Sequence, residues 1–282
     1  MRRAAILTLA ALLAGCRISD QKPEFIAVQQ AGTVAHRVPA DSEVTDPAML
    51  ASLQRGRALL RNTRDSLPRN VGNQLQCVSC HAMDGTRRNT MSLVGVYARF
   101  PQYRARSGRI DLLEDRINDC FERSMNGRAL AWNSPEMRDL VNYMAFLSRG
   151  VPAGARVEGQ GVPALEPLKG DSAAGRVLFA STCSVCHGSK GEGTAAAPPL
   201  WGPQSFNIGA GMSRVNTAAA FIRSAMPQTA PGTLTAQQAY DLAAYITSQP
   251  RPDFARKEFD WPRGDPPPDV AYPTRARKGS AN

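Results

Sequence analysis

The pentapeptide Cys-x-x-Cys-His occurs twice in this chain, as Cys77-Val78-Ser79-Cys80-His81 and as Cys183-Ser184-Val185-Cys186-His187. No other feature restricts the fold so strongly. Two thiols and an imidazole within one turn of chain form the arrangement that attaches a c-type haem. Each sulfur adds to one vinyl group of the porphyrin, and the histidine ligates the iron. Four cysteines could instead bind zinc, but zinc does not call for a histidine directly after each pair. A thioredoxin-type redox pair would follow a strand, and none is evident in the sequence. The motifs therefore read as two covalent haem c groups. Cys77, Cys80, Cys183 and Cys186 make the thioether bonds, and His81 and His187 are the proximal iron ligands.

Around the motifs the chain repeats itself. Gly56-Arg57-Ala58-Leu59-Leu60 precedes the first motif and Gly175-Arg176-Val177-Leu178-Phe179 the second. Leu93-Val94-Gly95 and Leu200-Trp201-Gly202 follow at matching distances, and Asp139-Leu140 with Tyr143 matches Asp241-Leu242 with Tyr245. Asp46-Pro47 and Ser134-Pro135-Glu136 carry helix-start signals, a capping side chain followed by proline at the first helical position. In the second half the apolar spacing predicts helices over about Ser172–Thr182, Ser213–Ser224 and Thr235–Ser248. The order of helix, haem motif, loop and closing helix resembles the class I cytochrome c fold. An all-α chain of two tandem class I cytochrome c domains is expected, one haem in each.

The first sixteen residues read as a targeting segment. Arg2 and Arg3 precede an apolar run from Ala4 to Ala14, too short for the ~20 residues that span a bilayer. The run ends in Leu13-Ala14-Gly15-Cys16, which resembles the lipobox of bacterial lipoproteins and implies acylation of Cys16, a periplasmic location and a membrane anchor. The expected layout is a signal peptide over 1–16, a linker over 17–45 and a first cytochrome domain over 46–152. A linker over 153–170, a second domain over 171–250 and a proline-rich tail over 251–282 follow. The formal charge is +10. Its arginines stand singly or in pairs without interleaved stacking aromatics, which argues against nucleic acid and for a small anionic ligand.

With one cysteine assigned to lipid and four to haem, Cys120 is left over, and an odd thiol in an oxidising compartment needs a role. Class I domains usually present a methionine as the sixth iron ligand. Met226 lies 39 residues after His187, and the residue 39 after His81 is Cys120. A second alignment, of Phe121-Glu122-Arg123-Ser124-Met125 with Phe221 to Met226, offers Met125 instead, and Met212 competes with Met226. His36 reads as a linker residue. If the chain around Cys120 is helical, Arg116, Cys120 and Ser124 share one face.

The stretch Arg116-Ile117-Asn118-Asp119-Cys120-Phe121-Glu122-Arg123-Ser124-Met125-Asn126-Gly127 and the tail segment Asp260-Trp261-Pro262-Arg263-Gly264-Asp265 resemble the dihaem thiosulfate dehydrogenases, which join two thiosulfates into tetrathionate. The resemblance implies that Cys120 is the distal ligand and catalytic sulfur of the first haem. It also implies that Arg106, Arg116 and Ser124 line the substrate pocket and that Met226 ligates the second, electron-transfer haem. It further implies an external electron acceptor such as another cytochrome. Two other readings fit the haem motifs: a dihaem electron carrier without a substrate, and a sulfur-oxidation cytochrome acting on carrier-bound sulfur.

Overall fold

The structure, a computed structural model, describes residues 32–275. The expected signal peptide, Cys16 and the end of the tail lie outside the described residues. Eight α-helices occur among those described. The first half contains α1 (Pro47–Arg61), α2 (Thr63–Ser66), α3 (Leu113–Asp119) and α4 (Pro135–Phe146). The second contains α5 (Ser172–Leu178), α6 (Ser184–His187), α7 (Val215–Ala225) and α8 (Ala236–Thr247). Their starts follow from local chemistry. The Asp46 carboxylate accepts from the amides of Ala48 and Met49, Ser134 caps α4 through Met137, and Thr235 caps α8 through Gln238.

In both halves the opening helix crosses the closing one at a glycine. A methyl group on Gly56 would lie 2.1 Å from the Asp139 carbonyl oxygen, and one on Gly175 would lie 1.9 Å from that of Asp241. The two aspartates then tie each crossing. Asp139 accepts from Ser52 Oγ at 2.6 Å and Arg55 Nε at 2.7 Å, while Asp241 accepts from the Asp171 amide at 2.8 Å. Leu53, Leu60, Met137, Leu140 and Tyr143 fill the first core, and Phe179, Tyr240, Leu242 and Ala243 the second. The all-α reading holds, with only two small strand pairings among the described residues. β1 (Thr33–Val34) pairs in parallel with β4 (Arg156–Val157), joining the segments before and after the first domain. β2 (Gln102–Arg104) and β3 (Arg109–Asp111) form a hairpin.

The halves are not merely strung together. Phe206 and Ala210, from the loop before α7, belong to the hydrophobic core of the first half. The tail is too rich in proline for a helix or central strand, and it lies across both halves. Its Trp261 amide donates to the Arg106 carbonyl at 2.8 Å, Asp260 pairs with Arg123 at 2.8 Å, and Asp269 accepts from the Asn216 amide at 2.9 Å. Among the described residues, no helix is long and apolar enough to cross a membrane.

Gly175→Ala tests the crossing. Overpacking of this kind costs about 1–3 kcal/mol, so helical circular dichroism should be lost at a lower temperature than in the wild type. An unchanged melting curve would show that α5 and α8 do not need their close approach.

Candidate active site

The chain departs from α-helical geometry where Cys120 sits. After α3 it widens into a π-helical turn over Cys120–Ser124, closed by the Met125 amide donating to the Cys120 carbonyl at 2.8 Å. Turns of this type concentrate at functional sites because the extra residue re-aims a side chain. Two buried asparagines clamp this one from outside. Asn73 Nδ2 donates to the Ser124 carbonyl at 2.9 Å, and Asn207 Nδ2 donates to the Glu122 carbonyl at 2.8 Å and to Asn126 Oδ1 at 3.0 Å.

Arg116 and Cys120 stand one helical turn apart, and Arg116 Nη1 lies 3.0 Å from Cys120 Sγ. Burial pushes this thiol up, but the Arg116 charge and a hydrogen bond with His81 pull it down further, so its pKa settles at about 7. As thiols, Cys77 and Cys80 are pushed up to about 12 by burial. In return, the Cys120 charge outweighs burial and holds Arg116 cationic.

These groups share one cavity, lined by Cys77, Cys80, His81, Arg116, Cys120 and Ser124, with largely apolar walls that include Leu60, Leu93 and Phe121. His81 Nδ1 donates to the Met91 carbonyl, which fixes the tautomer and leaves Nε2 as the basic nitrogen. The second half repeats the device, with His187 Nδ1 2.8 Å from the Pro198 carbonyl oxygen. Adjacent thiols, an oriented imidazole and apolar walls fit a covalently held haem c.

The sequence-predicted residues divide into those that converge here and those that do not. His81, Arg116, Cys120 and Ser124 converge. Met125 also lines the cavity, but Cys120 is the residue that meets His81. Arg106 is placed elsewhere. Its Nη1 donates to the Gly209 carbonyl at 2.8 Å, its guanidinium lies 4.6 Å from the Trp261 ring centroid, and burial together with Arg123 lowers its pKa to about 10. Met226 ends α7 and packs on the second core beside Cys183 and Trp201, whereas Met212 packs against both cores. His36 hydrogen-bonds Ser92 at 3.3 Å and is not among the cavity-lining residues. The sequence reading missed Arg99, Arg104 and Gln160, which also line the cavity. Only the alternation of residues along β2 could have distinguished Arg104 from its neighbours.

Such a site on such a fold defines a c-type cytochrome of two cytochrome c domains. Residues 69–153 match the family described as "SoxA/TsdA, cytochrome c domain" and residues 170–246 that described as "Cytochrome C oxidase, cbb3-type, subunit III". The chain is 47% identical over 242 residues to the thiosulfate dehydrogenase of Allochromatium vinosum, covering 81% of this chain and 88% of that protein. It is 44% identical over 241 residues to the thiosulfate dehydrogenase of Psychrobacter arcticus, covering 83% and 74%. Its fold is similar to that of the solved thiosulfate dehydrogenase (TsdBA) from Marichromatium purpuratum, with TM-score 0.73 and 35% identity. That likeness covers 78% of this chain and 50% of the solved one, so this chain spans half of that structure. The chain belongs to the thiosulfate dehydrogenase family and is an enzyme.

Asn207→Ala tests the clamp on the Cys120 turn. It leaves the Gly209 amide and the Glu122 carbonyl buried without their partner, at about 1–3 kcal/mol for each unsatisfied group. The melting temperature should fall, and the signal of the Cys120 side of the cavity should broaden. A wild-type melting curve would show that the asparagine holds nothing.

Proposed function

We propose that this protein is a dihaem cytochrome c that oxidises two thiosulfates to tetrathionate and passes the electrons to an external redox protein. One observation carries the reading: a thiol and a half-buried guanidinium 3.0 Å apart share a cavity with a complete haem-attachment motif. A pure electron carrier has no use for that pair. In this reading Cys77 and Cys80 would hold one haem c, with His81 and Cys120 to bind its iron, and Cys183 and Cys186 would hold the other, with His187 and Met226. Cys16 anchors the exported protein to a membrane through lipid.

Two S₂O₃²⁻ become one S₄O₆²⁻ with the release of two electrons, and bound haem iron supplies a one-electron acceptor in each half. The chain has two tasks around that chemistry. Joining two dianions requires cations in a site of low dielectric, where a guanidinium also matches sulfonate oxygens through paired hydrogen bonds. Arg116 supplies that charge, and Ser124 adds a hydroxyl on the same wall. Arg116 also favours the thiolate of Cys120, a charge-donating sulfur that would be a nucleophile when not bound to metal.

Purified haem-loaded protein mixed with thiosulfate and ferricyanide should produce tetrathionate, and its mass should show two haem additions. Cys120→Met keeps a soft ligand in place, so both haems and the fold should survive. The first haem's potential should rise, because a neutral thioether replaces an anionic donor. Tetrathionate formation should drop by about a hundred-fold or more, the scale expected when a reacting group is removed. Full activity in this variant would favour the carrier reading.

A further inference from the structure

We propose that Arg104 is a second anion-binding guanidinium of the Cys120 cavity, so that Arg104 and Arg116 together grip the sulfonate group of thiosulfate. The inference rests on the thiosulfate reading and names a residue that the resemblance did not supply.

The arginines near the site differ in what their donors do. Arg109 gives its Nε to Asp111 at 3.1 Å and an Nη to Asp115 at 3.0 Å. Arg123 is bidentate to Asp260, with both contacts at 2.8 Å, and also reaches Asp119 at 3.1 Å. Arg106 is spent on the Gly209 carbonyl and stacks on Trp261. Arg104 ends β2 and lines the cavity with Arg116, Cys120 and Ser124. Among the described residues no hydrogen bond satisfies its guanidinium. Its one acidic neighbour within ion-pairing range, Asp111, is 3.8 Å from Nε and already accepts from Ser107 and Arg109.

Its electrostatic setting points the same way. Burial lowers the Arg104 pKa, and the like charge of Arg116 lowers it further. Two cations facing one apolar-walled space repel each other, and an anion bound between them converts that repulsion into attraction. A sulfonate carries three acceptor oxygens, enough for both guanidinium forks, and its terminal sulfur would then be left towards Cys120. The hairpin explains the choice of residue. Along β2 Gln102 and Arg104 line the cavity while Tyr103 between them is exposed, and the chain turns after residue 104, so Arg106 leaves that face and reaches Gly209 in the second half.

The test compares haem-loaded wild type, Arg104→Gln and Arg104→Lys, with thiosulfate as the probe. Arg104→Gln should raise KM about ten-fold with kcat within about three-fold, because one charge-assisted contact made in both ground and transition states is lost. The dependence of kcat/KM on ionic strength should become shallower, since one positive charge has gone from the path of a dianion. Arg104→Lys keeps the charge without the fork, so its KM should rise about three-fold, between wild type and Arg104→Gln, with the wild-type salt slope retained. If Arg104→Gln does not load haem, Arg104→Lys still decides: a rise of about three-fold in KM with a wild-type salt slope is the expected result, and an unchanged KM overturns the proposal. An unchanged KM in Arg104→Gln overturns the proposal. So does an unchanged KM with a shifted first-haem potential, which would assign the guanidinium to a haem carboxylate. Wild-type protein that forms no tetrathionate defeats the underlying reading and the proposal with it, an outcome distinct from a variant that handles thiosulfate as well as wild type.

Discussion

A guanidinium and a sulfur half-buried 3.0 Å apart in a cavity with largely apolar walls set the terms for the first half of this protein. Neither group is stable there alone. A buried cation without a counter-charge is costly, and burial by itself would keep the thiol protonated. Together each favours the charged form of the other. The geometry must therefore be rigid, because the attraction falls away once the partners separate. Rigidity comes from groups far away in sequence: Asn73 and Asn207 hold the carbonyls of the widened turn, and the Arg123–Asp260 pair fastens that turn to the tail.

The second half uses the same frame for a plainer task. Its helices cross at an equivalent glycine, its closing helix carries the equivalent aspartate, and its histidine is oriented by an equivalent backbone carbonyl. It lacks a counterpart of Arg116 beside a thiol. Met226 caps the end of α7 and packs against the apolar second core, as do Trp201, Leu200 and Cys183. Such a contrast suits a division of labour in which a charged site handles the anion and an apolar one moves electrons.

Much of this was legible in the sequence because it depends on local chemistry. Asp46, Ser134 and Thr235 announce their helices through capping, and the two pentapeptides announce the haem sites. Cys120 became visible through subtraction and through its matching distance from His81. The spacing of Arg116, Cys120 and Ser124 survived the change from α to π geometry well enough to bring all three to one cavity. What stayed hidden depends on contacts across long separations or on where a strand ends. Nothing near Asn207 in sequence says that it supports residues 122 to 126. Arg104 and Arg106 are two residues apart in an arginine-rich stretch, and only the formed hairpin and the tail separate their environments.

Phe206 and Ala210 have a consequence for how a duplicated chain can evolve. They arise in the second half but complete the hydrophobic interior of the first, so the two copies have ceased to be interchangeable parts. Removing the second copy would leave an opening in the hydrophobic core of the first half, and replacing it with a foreign cytochrome module would do the same unless the loop were transplanted as well. The ancestral repeat is still readable in the helices, yet the modularity that duplication usually confers has been surrendered. The two halves are therefore inherited as one unit.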